Sequence, residues 1–110
     1  MQNLITKLKN MRTSLLTLIV LQYYKDFKSI YEATSFIKGI TPSTVGNTLR
    51  SLIQNRDVRK VRRGVYELTD HGKRKLKYYW FKGEIPTELL SEEIRRMKVK
   101  IKWEGKYIFI

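Results

Sequence analysis

Thr41-Pro42-Ser43-Thr44-Val45-Gly46-Asn47-Thr48-Leu49-Arg50-Ser51-Leu52-Ile53-Gln54 carries its own start signal. A threonine hydroxyl can cap free N–H groups, and the proline that follows sits at the first helical position, where its missing N–H costs nothing. Wound at about 100° per residue, the stretch puts Val45, Leu49, Leu52 and Ile53 in one sector and Ser43, Thr44, Asn47, Arg50, Ser51 and Gln54 opposite. The apolar sector needs a core to pack on. The polar sector lacks the Glu and Lys that favour a solvated helix; its Ser, Thr, Asn and Gln are poorer helix formers that can bond base edges and phosphates. A solvated face with no partner is the plain alternative. Gly46 costs the helix about 0.5 to 1 kcal/mol relative to alanine, so something is expected to approach it closely, either the preceding helix or a DNA backbone.

Upstream, Ser29 with Glu32 three residues on reads as a capping box. The helix it opens, 29–38, sets Ile30, Ala33 and Ile37 on one face before Gly39 stops it. The connection to Thr41 is too brief for the two helices to lie parallel, so a steep helix-turn-helix crossing is expected. Before that, Leu15 to Leu21 is an apolar run inside a helix from Thr13 or Ser14 to about Lys25, apolar nearly all round and therefore the core's central post. Leu4, Ile5, Leu8 and Met11 recur at helical spacing, so residues 2–11 either extend this helix or form a separate one. Lys7, Lys9 and Arg12 before the apolar run imitate a signal peptide, but the run is short and leads into Gln22, Tyr23 and Tyr24 instead of a small-residue cleavage site.

Downstream, Val58-Arg59-Lys60-Val61 and Val65-Tyr66-Glu67-Leu68 flank Arg62-Arg63-Gly64. The pattern predicts a hairpin with a three-residue loop, pairing Val58 with Leu68 and Lys60 with Tyr66, and with Arg62 and Arg63 at its tip. Two adjacent tip arginines repel each other unless phosphate or a narrow minor groove takes them; a solvated loop is the alternative. Thr69 then caps a helix that ends at Gly83. Its early Lys73, Arg74, Lys75 and Lys77 work against the helix dipole, a cost that a nearby phosphate would relieve. His71 falls in the first turn, where exposure is expected over catalysis.

The run Thr41-Pro42-Ser43-Thr44-Val45, then Leu49, Leu52 and Val58, then Tyr66-Glu67-Leu68-Thr69 with Gly72 resembles the winged-helix core of MarR-like and PadR-like transcription regulators over residues 13–82. The resemblance implies an α+β winged helix-turn-helix: a three-helix core, a β-hairpin wing and a fourth helix. It implies that the helix 41–54 enters the major groove of double-stranded DNA while the wing, 58–68, grips the backbone or minor groove. Ser43, Thr44, Asn47 and Thr48 would then face bases or nearby phosphates, Arg50 the backbone, and Arg62 and Arg63 the wing contact. Ser51, Arg59 and Lys73 complete the expected DNA-binding set. Two departures stand out: Asn55-Arg56-Asp57 replaces the glycine that usually follows the reading helix, and the wing is short, which leaves its angle open. The charged style also looks like small winged-helix proteins of hyperthermophilic archaeal viruses and plasmids.

Composition limits the remaining choices. A chain of 110 residues supports one modest core. With no Cys and a single His it can build neither a disulfide framework nor a Cys/His zinc site, which suits a reducing cytoplasm. The formal charge of +13 points to a polyanionic partner. Residues 58–83 hold nine basic and two acidic side chains, whereas residues 84–110 interleave six with five. A merely soluble basic protein is the bland alternative. The chain therefore reads as one domain with an N-terminal extension 1–12, a winged-helix core 13–83 and a tail 84–110.

In the tail, Pro86-Thr87 opens a helix to about Met97 with Leu89, Leu90, Ile94 and Met97 as its stripe, and Val99 to Ile110 alternates as a strand pair around Glu104-Gly105. A three-residue loop, pairing Trp103 with Tyr107 and Ile101 with Phe109, keeps the apolar residues together. The tail either extends the core or forms a homodimer interface, and the resemblance favours the dimer. A sequence-specific DNA-binding transcription regulator is the leading reading, with non-specific or architectural DNA or RNA binding as the alternative. The acids Asp26, Glu32, Asp57, Glu67, Asp70 and Glu84 to Glu93 form no metal-binding or acid–base constellation. No enzyme, cofactor, metal, small-molecule ligand or membrane partner is therefore expected.

Overall fold

The apolar run of the sequence becomes the post around which the other elements pack. On α2 (Thr13–Val20) the side chains of Leu15, Leu16, Leu18, Ile19 and Val20 are all buried. In this computed structural model the described residues are 4–98, 100–103 and 106–109, with side chains described through Lys98. The N-terminal segment forms a separate helix, α1 (Leu4–Asn10), because the backbone turns extended at Arg12, whose ψ is 144°.

The post is shorter than its apolar run suggested, since α2 stops at Val20 and not near Lys25. The chain leaves it to pair with the later hairpin: Tyr66 N–H donates to the Lys25 carbonyl at 2.8 Å, Phe27 N–H donates to the Gly64 carbonyl at 2.8 Å, and Asp26 bridges Val65. That pairing needs extended backbone where the helix would have continued. It also moves the next cap. α3 (Phe27–Lys38) starts two residues before Ser29 and is capped by Asp26, whose carboxylate accepts from Ser29 N–H at 2.9 Å. The expected Ser29–Glu32 capping box is thus replaced, Ser29 serving as the donor.

Gly39, at φ 67°, closes α3, and Thr41 caps α4 (Pro42–Gln54) as the sequence predicts. Val45, Leu49 and Leu52 are buried in the same cluster as Leu16, Ile30 and Leu76, while Ile53 is partly buried against it. β1 (Val58–Arg62) and β2 (Val65–Leu68) pair antiparallel, with Val58 opposite Leu68 and Lys60 opposite Tyr66 as expected. The loop differs: Arg62 pairs with Val65, and an irregularity between Lys60 and Arg62 takes up the odd residue. A bulge beside a left-handed glycine, here Gly64 at φ 75°, lets a tight turn follow the right-handed twist of the strands. Arg62 therefore ends a strand, and only Arg63 and Gly64 form the turn. α5 (Asp70–Phe81) is capped by Thr69 and followed by Gly83 at φ 83°. Helix, helix-turn-helix, hairpin and returning helix make this an α+β winged helix.

The tail departs from expectation twice. Its single helix is two pieces, a 3-10 turn Thr87–Leu89 and α6 (Glu92–Arg96). Leu90 is extended and buried between them, Ser91 N–H donates to Gln22 Oε1 at 2.7 Å, and the Ser91 side chain caps a fresh helix. Ile85, Leu90 and Ile94 are thereby part of the main core, so this stretch completes the domain. β3 (Lys100–Trp103) and β4 (Lys106–Phe109) pair with Trp103 opposite Lys106 and Ile101 opposite Ile108. The register leaves two residues between the strands, not three. Two-residue connections match strand twist best. Val99, Glu104, Gly105 and Ile110, also part of the expected strand pair, lie outside the described residues.

Candidate nucleic-acid interface

Burying Val45, Leu49 and Leu52 turns the rest of α4 outward: Ser43, Thr44, Asn47, Arg50, Ser51 and Gln54 are exposed and Thr48 is half-buried. No acid occurs anywhere from Thr41 to Asn55. Two of the hydroxyls already serve the helix. Thr44 shares a 3.1 Å hydrogen bond with the Thr41 hydroxyl, and Thr48 Oγ1 donates to the Thr44 carbonyl at 2.7 Å. The side chains of Ser43, Asn47 and Ser51 have no hydrogen-bond partner among the described residues, so they are available to a ligand.

Gly46 sharpens this picture. A Cβ built there would meet nothing within 4 Å, so α3 is not the close neighbour that the sequence allowed for. No contact within the described protein requires a glycine at this helix-interior position.

The wing is held more firmly than a free hairpin. Its β2 strand and the Gly64 carbonyl are bonded to residues 25–27, so the turn is tied to the first residue of α3. Arg62 and Arg63 are exposed, with no acid against them among the described residues. Arg59 differs, because its guanidinium is ion-paired across the hairpin with Glu67. Lys73 is also engaged, donating to Glu93 at 2.9 Å and so joining α5 to the tail.

Other cations from the basic middle of the chain turn inward. Lys77 is 2% exposed and donates to the carbonyls of Arg95 and Met97; burial pushes its pKa below the ordinary lysine value. Lys75 donates to Asp57 Oδ2 at 2.7 Å, and Oδ1 of that fully buried carboxylate bonds His71 Nδ1 at 2.7 Å. His71 is exposed in the first turn of α5, as expected, and ties that turn to the end of α4. Much of the +7 expected to face phosphate between residues 58 and 83 is thus internal wiring. Lys60, Arg62 and Arg63 of the wing and Arg50 on α4 are exposed.

No protein-family model matches the chain, and no curated protein matches it. The structure is similar to the crystal structure of T. acidophilum IdeR, with a TM-score of 0.48 and 20% sequence identity over 87% of this chain. It covers 46% of that chain, and so spans about half its length.

Sequence reasoning missed two positions at this surface. Arg12, read as part of an N-terminal extension, stands over the Tyr79 ring at 5.2 Å and lines, with Ser51 and Asn55, a cleft of about 230 Å³ beside α4. Its hydrogen bond and charge interaction with Tyr79 raise its pKa further, so it stays cationic. Arg56 occupies the left-handed conformation, φ 65°, that the missing glycine would have taken. The Asn55-Arg56-Asp57 departure signalled that position; nothing local signalled Arg12. Among the described residues, no group of three or more His, Asp or Glu side chains is placed to hold a metal ion, and no helix is long and apolar enough to cross a membrane.

Proposed function

We propose that this chain binds double-stranded DNA sequence-specifically and regulates transcription, with α4 in the major groove and the wing on the adjoining backbone or minor groove. The observation that carries the reading is the outer face of α4. It is free of acids, it presents Ser43, Asn47 and Ser51 without internal partners, and it belongs to the same folded unit as the Arg62–Arg63 wing. Asn47 offers an amide able to bond adenine in two places, while arginines and hydroxyls suit phosphates. Thr44, Thr48 and Arg50 flank that centre. Arg59 and Lys73 take a secondary place, since each would have to leave a carboxylate to reach DNA.

The same proposal includes a MarR-like or PadR-like role, a binding module and not a catalyst, acting in a cytoplasm, with an archaeal viral or plasmid origin. It also includes a homodimer formed through the terminal strand pair, because the tail's apolar stripe is consumed by the core.

Selection of binding sites from random duplexes tests the reading. Enrichment of a defined motif, with two-fold symmetry if a symmetric dimer reads it, is the expected result. Equal recovery of all sequences would replace it with the non-specific or architectural alternative.

A further inference from the structure

A cavity of about 470 Å³ opens between α1, α2 and α3, within the range of about 300 to 1,000 Å³ usual for small-ligand sites. Leu16, Ile19 and Val20 form an apolar floor. Three aromatic side chains line it and remain open to solvent: Tyr23 is 53%, Tyr24 47% and Phe36 84% exposed. Glu32 is the one charged side chain in the lining, an acid in a protein whose formal charge is +13. Asp26 has taken the capping role that the sequence assigned to Ser29 with Glu32, and the exposed Glu32 carboxylate has no hydrogen bond or ion pair among the described residues.

Apolar floor, aromatic rings and a lone carboxylate select against most ligands. Phosphates and carboxylates would meet no cation, and an uncharged apolar molecule would leave the carboxylate unused. A cation spread over an apolar body satisfies all three: its hydrocarbon covers the floor, and its charge is attracted by both ring faces and the carboxylate. We infer that the α1–α2–α3 cavity binds a lipophilic organic cation. The inference goes beyond the DNA-binding reading and does not depend on it.

Calorimetric titration with tetraphenylphosphonium, set against the uncharged triphenylphosphine oxide, tests it. One cation should bind per chain, about tenfold tighter than the oxide, and Glu32→Gln should erase that advantage. Glu92→Gln, an exposed acid outside the cavity, should preserve it. Equal affinity for the two probes, a cation preference that survives Glu32→Gln, or no binding at all would overturn the inference. Sedimentation velocity adds a further check. A wild-type dimer that excludes the probe and becomes monomeric on Phe36→Glu would place a second copy in the cavity, which also overturns it.

Discussion

The backbone carbonyl oxygen of Asp57 stands 2.1 Å from the point where a Cβ on Gly72 would lie. The same carbonyl accepts from Thr69 N–H at 3.1 Å, and Thr69 Oγ1 accepts from Gly72 N–H at 3.1 Å while donating to the Arg56 carbonyl at 2.5 Å. One knot thus fastens the turn after α4 to the start of α5. Only hydrogen at position 72 leaves space for it. Gly72→Ala should therefore destabilise the fold by roughly 1 to 3 kcal/mol, the usual cost of forced overpacking. Urea denaturation measures this, and a change under about 0.5 kcal/mol, the ordinary scatter for surface substitutions, would contradict the role.

Reading and gripping should separate by substitution. Asn47→Ala removes an amide from the outer face of α4 and should cost about 1 to 3 kcal/mol on the selected site with little change on random duplex. Arg62→Ala with Arg63→Ala should weaken binding on every sequence and flatten the log–log salt slope by about 0.9 per lost phosphate contact. Titrations at several salt concentrations on both duplexes decide the matter. Equal losses for Asn47→Ala would remove α4 as reader, and an unchanged slope would remove the hairpin as wing.

Gly46→Ala should move stability and binding in opposite directions. With open space around the added methyl, the helix should gain about 0.5 to 1 kcal/mol. Affinity for the selected duplex should fall if the bare backbone is there to let DNA approach. Thermal denaturation and a binding titration on one preparation give both values. A stabilised variant with full affinity would show that the glycine serves no contact.

The pH dependence of stability should carry the signature of Asp26. Its carboxyl pKa is held below the ordinary value, first by the backbone hydrogen bond from Ser29. A depressed folded-state pKa gives stability that is complete above the unfolded-state pKa, about 3.9 for Asp, and is lost as pH falls through the folded value. Asp26→Asn keeps a competent cap without the titration. Wild type should exceed the variant most at pH above about 5, and the gap should close under acid. Denaturant midpoints across the acid range measure it, and a gap that does not depend on pH would refute the assignment.

How far the sequence could be read follows the range of the forces involved. The faces of α4 were legible because Thr41, Pro42 and the spacing of Val45, Leu49 and Leu52 act within one helix. The hairpin's Val58–Leu68 register was legible for the same local reason, and it also brings Arg59 opposite Glu67, so that ion pair was within reach. The end of α2 and the cap of α3 were not legible, because both are decided by the pairing of residues 25–27 with residues 64–66 far along the chain. The broken tail helix depends on Gln22 reaching Ser91. Charge counting placed the basic residues but not their partners, which is why Lys73, Lys75 and Lys77 turned from candidate phosphate contacts into internal fastenings.

The bonds from Phe27 and Lys25 to the wing make the protein a caliper with a set span. The turn of the hairpin is joined to the first residue of α3, so the tip arginines are held against the helix-turn-helix on folding. A rigid gauge does not stretch to suit its object. If α4 and the wing bind DNA as proposed, then where groove width varies with base sequence the misfit would fall on the duplex, whose bending and narrowing cost energy that depends on base steps the protein never touches. Part of the discrimination would then reside in the stiffness of the DNA.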